Sequence, residues 1–188
     1  MIQRLSLFWN TYFDFKYRIA IIIGILLFTA FVTARIYMAA KRHESVKCRE
    51  IIYIFFLCIY LTFLLGVTLF NRQPEKSFSI ELTPLWSYRE TLADGNLELG
   101  KQIFYNMLAF VPWGIFLPVL FRKMQSFCHV VVAAAVLSAV IEISQLIFRC
   151  GLCELDDVMN NTLGAAAGYG IWKIVSIATG MLKKERHC

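Results

Sequence analysis

The run Ile19–Ala40, IAIIIGILLFTAFVTARIYMAA, contains one charged residue, Arg35. A stretch like this is too long and too apolar to sit on the surface of a soluble domain. About 20 mostly apolar residues cross the hydrocarbon of a bilayer as a helix, and only a helix or a closed barrel satisfies its own backbone there. Four more runs follow: Ile51–Phe70, Ile103–Phe121, Phe127–Phe148 and Val158–Met181. The expected fold is therefore all-α, a polytopic membrane bundle of about five transmembrane helices. Composition agrees, with 59% hydrophobic and only 17% charged residues, against roughly half and a quarter in soluble domains.

The segments divide naturally. Residues 1–18 are basic and aromatic and read as a short interfacial amphipathic helix or a frayed tail. Residues 19–70 hold two N-terminal spans, 71–102 a connecting loop, 103–181 a three-helix core and 182–188 a basic tail. The first span follows a long leader and has no small-x-small cleavage site after it, so a signal peptide is not expected. Arg35 lies where it can snorkel to the interface.

The net charge of +6 belongs to loops and does not point to nucleic acid. Arg35, Lys41, Arg42, Lys47 and Arg49 crowd the first connection, and Arg122, Lys123, Lys183, Lys184 and Arg186 fall on the same side. The other side carries almost as many basic residues, but the density in the short first connection marks it as cytoplasmic. The expected topology is N-terminus outside and C-terminus inside, with the loop 71–102 facing outward.

Polar side chains inside spans are costly and are candidates for function. Ser138, Glu142, Gln145 and Arg149 recur at helical spacing on one stripe of the fourth span, and Asp157, Asn161, Gly164 and Gly168 do so on the fifth. The third span starts where the fourth ends and the fifth begins. Asn106, Glu142, Gln145, Arg149, Asp156, Asp157, Asn160 and Asn161 thus share one membrane face, whichever way the chain is inserted. Glu142 lies seven residues from Arg149, about 10 Å deeper. Two readings fit the stripe. It is interhelical glue, or it is a binding or catalytic site, with Glu142 and Asp157 as the catalytic candidates. Four local carboxylates against Arg149 leave room for a further partner. A divalent cation at Asp156 and Asp157 is one such expectation. Gly164-Ala-Ala-Ala-Gly168 is a small-residue surface for close helix approach. Pro112, Gly114 and Pro118 are expected to kink the third span.

Cysteine chemistry is not expected to lead. The motif Cys150-Gly-Leu-Cys153 has no surrounding βαβ unit and no further pair of zinc ligands. Its thiols read as a local disulfide or as ordinary turn residues. His129 and Lys173 read as interfacial.

Taken together, Leu82-Thr83-Pro84-Leu85, Asn106-x3-Phe110-x-Pro112-x-Gly114, Glu142-x2-Gln145 and Asp156-Asp157-x3-Asn161-Thr-x-Gly164-x3-Gly168 resemble the signature of the VanZ-like membrane family. The resemblance covers about Leu82–Gly170. It departs at Cys153, where the family often carries Phe. It implies a bacterial plasma-membrane protein linked to teicoplanin (lipoglycopeptide) resistance or another cell-envelope role. Thr83, Pro84, Asn106, Glu142, Gln145, Arg149, Asp156, Asp157 and Asn161 would bind a ligand. Phe110, Pro112, Gly114, Gly164 and Gly168 would be structural. The expected partners are membrane lipid, a lipoglycopeptide or a cell-wall precursor. The main expectation is an outward polar pocket that binds an amphiphile or lipid head group without catalysis. The alternative is a membrane-embedded enzyme acting on a lipid or cell-wall precursor. A transporter ranks last, because no inverted repeat is visible.

Overall fold

The structure is a computed structural model that describes residues 18–69 and 80–180 in full, together with the helical backbone of residues 2–17 and 70. The side chains of the leading segment, the start of the connecting loop and the basic tail expected at 182–188 lie outside the described residues.

The described elements are α1 (Ile2–Lys41), α2 (Cys48–Leu65), β1 (Ile80–Glu81), α3 (Trp86–Ala93), α4 (Leu97–Leu120), α5 (Phe127–Phe148), β2 (Cys153–Glu154) and α6 (Leu155–Ala178). Four of these helices are long and apolar enough to cross a membrane: α1 over Arg18–Lys41, α2 over Cys48–Leu69, α4 and α5. The fifth expected span is α6, equally long at 24 residues but with more polar residues in its buried face. This is an all-α, multi-pass membrane protein.

The chain forms two compact units, residues 1–72 and 73–188. In the first, α1 runs without a break from Ile2, so the leading segment is continuous with the first span in place of a separate interfacial helix. A methyl group at Gly24 would come within 2.5 Å of Thr62 Oγ1, so α1 and α2 pack closely. Arg35 is paired where free snorkelling was expected: its Nε donates to Glu50 Oε2 at 2.8 Å, and Glu44 lies at 3.7 Å. A π-helical turn, Gly66–Phe70, follows α2.

In the second unit α4, α5 and α6 form the bundle. At Met107, Val111 and Gly114, α4 meets α6 through bare backbone. A methyl group at Gly164 would stand 1.9 Å from Met107 O, one at Gly168 2.1 Å from Val111 O, and one at Gly114 2.0 Å from Ala165 O. Only a hydrogen fits at each, which is the close approach that small residues permit between membrane helices. Pro112 and Pro118 both lie inside the continuous helix α4, whose buried residues include Phe110 and Pro118. At the far end, Leu117, Val130, Tyr169 and Trp172 form an apolar cluster, and Tyr169 Oη donates to Gln125 O at 2.9 Å.

Over its described residues, 80–102, the connecting segment is more structured than a loop. α4 starts at Leu97, earlier than the apolar run implies, because the Asn96 side chain accepts from the amides of Glu98 and Leu99. Before it, α3 is an eight-residue helix. The strands β1 and β2 pair in parallel, Ile80 with Cys153 and Glu81 with Glu154. This ties the segment to the turn between α5 and α6.

Candidate functional site

The starts of α4 and α6 and the end of α5 meet at one end of the bundle, and four carboxylates collect there. Glu142 is 3% exposed, Glu154 6%, Asp156 2% and Asp157 4%. Burial of this kind demands donors. Asn106 Nδ2 donates to Asp157 Oδ1 at 2.6 Å. Gln102 Nε2 spans Glu154 Oε1 at 3.3 Å and Asp157 Oδ1 at 3.5 Å. Glu142 Oε2 accepts the backbone N–H of Glu154 at 3.1 Å. One level deeper, Asn161 Nδ2 donates to Ser138 Oγ at 2.7 Å and ties α6 to α5.

The two adjacent aspartates part company. Asp157 turns to α4, while Asp156 turns to α3. Asp156 accepts from Leu85 N at 2.7 Å, Ser87 N at 2.8 Å and Ser87 Oγ at 2.7 Å. It therefore does from outside what a Ser or Asp N-cap does within a helix. Among the described residues, no group of three or more His, Cys, Asp or Glu side chains is arranged to hold a metal ion. Beside Asp156, Tyr88 Oη donates to Asn160 Oδ1 at 2.5 Å. Burial, and then the charge of Asp156, push the Tyr88 hydroxyl above its ordinary pKa and keep it a donor. Asn160 Nδ2 is buried with no hydrogen-bond partner among the described residues.

The remaining expected residues divide between the surface and the bundle interior. Thr83 and Pro84 are exposed in the turn before α3, which Trp86 N closes onto Thr83 O at 3.3 Å. Thr83 N donates to Glu81 Oε1 at 2.8 Å. The Thr83 side chain, then this amide, hold the Glu81 carboxyl below its usual pKa. Gln145 is buried in α5 at 1% exposure. Arg149 is exposed at the C-terminal cap of α5, in the left-handed region with φ 53. Cys150 N donates to Gln145 O at 2.9 Å, so the helix ends in a Schellman-type turn.

A family model described as VanZ/LLP1 matches residues 50–176, from the start of α2 almost to the end of α6. The chain belongs to the VanZ/LLP1 family. Among curated proteins, Protein VanZ of Enterococcus faecium is 28% identical over 137 residues, covering 69% of this chain and 79% of its own length. No solved structure matches the chain. The VanZ/LLP1 match reaches further toward the N-terminus than the motif resemblance and takes in α2.

Sequence reasoning missed three polar groups at this VanZ/LLP1 core. Gln102 precedes Asn106 by four residues and shares its helical face. The apolar run begins only at Ile103, inside α4, and leaves it out. Ser87 and Tyr88 lie on α3, which has no apolar stripe to announce it.

Cys150 and Cys153 are free thiols, so the disulfide alternative gives way to that of ordinary turn residues. Cys150 is buried, and Cys153 is half-buried beside the carboxylates. Burial first, then the charges of Glu142, Asp157 and Glu154, raise the Cys153 pKa. The thiolate is the reactive species, so Cys153 is expected to alkylate more slowly than exposed Cys48 at neutral pH and to speed up as pH rises. Glu142→Gln removes one of the raising charges and should accelerate Cys153. Peptide mass spectrometry of maleimide labelling over about pH 7 to 9 reads both effects. Equal rates for Cys153 in wild type and Glu142→Gln would contradict the placement of the two side chains.

Proposed function

We propose that this chain is a bacterial plasma-membrane protein with its carboxylate end facing outward, where it holds the polar head of an amphiphile or envelope lipid. By doing so it lowers the access of a lipoglycopeptide such as teicoplanin to its target. The observation that carries this reading is the meeting of Glu142, Glu154, Asp156 and Asp157 at the shared end of α4, α5 and α6. Gln102 and Asn106 stand at its rim, half-buried and already engaged in hydrogen bonds. An amine or hydroxyl can compete for such groups without any covalent step. Membership of the VanZ/LLP1 family supports the reading. The density of basic residues in the connection between α1 and α2 supports the orientation.

The test compares cells producing wild type, Glu142→Gln and Asp157→Asn at equal levels. Each variant is nearly isosteric and keeps a carbonyl acceptor. A hydrogen bond to a charged group contributes about 1.5–3 kcal/mol, or tenfold and more in affinity. Protection against teicoplanin is expected to fall in both variants while lipid and precursor profiles stay as in wild type. A lipid or precursor product that appears with wild type and vanishes in Glu142→Gln would replace this reading by the enzymatic one. Unchanged susceptibility in both variants would sink it. The orientation is read in intact cells with an impermeant maleimide on Asp94→Cys, an exposed position. Labelling only after lysis would reverse it.

A further inference from the structure

The helix α3 is built inside out. Its hydrogen-bonding side chains face the protein: Ser87 holds Asp156, Tyr88 holds Asn160, and Thr91 Oγ1 returns to Ser87 O at 2.7 Å. Arg89 and Leu92 on the helix are exposed, Leu92 at 86%, and so is Leu85 at its N-terminal cap. Leu82 before the helix and Leu97 after it are 62% and 74% exposed. In water this arrangement would show leucines to solvent while burying hydroxyls, the reverse of an ordinary surface helix.

The position of α3 supplies the missing environment. Only Asp94–Asn96 separate it from α4, and a methyl group at Gly100 would come within 3.3 Å of Thr91 Cγ2. The helix therefore lies against the start of α4, a helix long and apolar enough to cross a membrane. Further along α4, Phe104, Tyr105 and Leu108 are likewise exposed. Between the leucines stands one cation, Arg89. Leucines flanking a guanidinium match the two layers that an interfacial helix meets, acyl chain below and phosphate above.

We infer that α3 is an interfacial helix that lays Leu85 and Leu92 into the leaflet, with Arg89 on a phospholipid phosphate. Its partner is the bilayer surface. The inference does not depend on what the carboxylate end binds. Through Asp156 and Asn160 the same helix is fastened to α6, so the depth of α3 in the leaflet sets the position of that end.

The test uses the full chain in phospholipid nanodiscs with p-benzoylphenylalanine in place of Leu92, where a side chain so exposed carries no packing. A second variant carries it in place of inward-facing Tyr88. After irradiation, intact mass spectrometry should find a phospholipid adduct from position 92 and not from position 88. Arg89→Gln should lower the adduct yield at position 92 about fivefold, the factor one basic residue contributes near a charged head-group layer. An adduct to a second polypeptide chain would assign the face to a protein partner and overturn the inference. So would the absence of any lipid adduct, or equal lipid adducts at the two positions.

Discussion

Gly164→Leu is expected to prevent the second unit from assembling, and Gly164→Ala to destabilise it by about 3 kcal/mol, the upper part of the overpacking range. The reason is geometric. The new Cβ would stand 1.9 Å from Met107 O and 2.7 Å from Met107 C. Both are backbone atoms, and no change of rotamer moves them. The helices α4 and α6 must separate, and inside a bilayer no hydrophobic force draws them together again, because lipid tails are as apolar as leucine. Separation also lengthens the 2.6 Å contact between Asn106, next to Met107, and Asp157 on α6. The packing defect should therefore reach the carboxylate end. Gly170→Ala is the internal control. Nothing lies within 4 Å of its added methyl group, and in a helix alanine is favoured over glycine by about 1 kcal/mol. Thermal unfolding of purified protein in detergent should rank Gly170→Ala at or above wild type and Gly164→Ala well below it. If the two alanine variants unfold at the same temperature, the close approach of α4 and α6 is refuted.

What the sequence revealed follows from which forces act locally. The long helices were legible because the bilayer imposes their length and apolarity residue by residue. The stripe Ser138–Glu142–Gln145 was legible because a helix fixes which side chains share a face, and all three are buried. The glycines of α6 were legible as packing residues because a membrane interface needs a bare backbone. The start of α4 was not legible in the apolar run, because it is set by Asn96, whose side chain accepts from two backbone amides. The helix α3 was not legible at all. WSYRETLA has no apolar stripe, and its cap, Asp156, is contributed from 71 residues away in sequence. For the same reason the pair Asp156-Asp157 read as one unit. Adjacent residues at the start of a helix point about 100° apart, and here they serve α3 and α4 separately.

The second large effect is expected from Asp156→Ala, which should undo α3 while leaving α4, α5 and α6 folded. The Asp156 carboxylate receives Leu85 N, Ser87 N and Ser87 Oγ at 2.7–2.8 Å. Leu85 sits in the left-handed region with φ 61, a conformation that costs a residue with a side chain about 1 kcal/mol. The three hydrogen bonds offset that cost. Without them the buried Ser87 amide and hydroxyl lose their carboxylate acceptor, a penalty of about 3 kcal/mol when hydrogen bonds to a charge are lost. Eight residues do not hold a helix on their own. Hydrogen exchange should therefore rise sharply across Trp86–Ala93 and stay slow in α5 and α6. Asp156→Asn should fall between wild type and Asp156→Ala, because its Oδ1 can still accept from Ser87 while its Nδ2 would face the Leu85 amide. The Tyr88 hydroxyl supplies an independent reading. Part of its raised pKa comes from the Asp156 charge, so removing that charge should bring its titration down toward the ordinary phenol range. Slow exchange of α3 in Asp156→Ala would show that the carboxylate is not what holds the helix. Fast exchange confined to α3 would separate the roles of the adjacent aspartates, with Asp156 fastening the interfacial helix and Asp157 remaining with Asn106 at the candidate site.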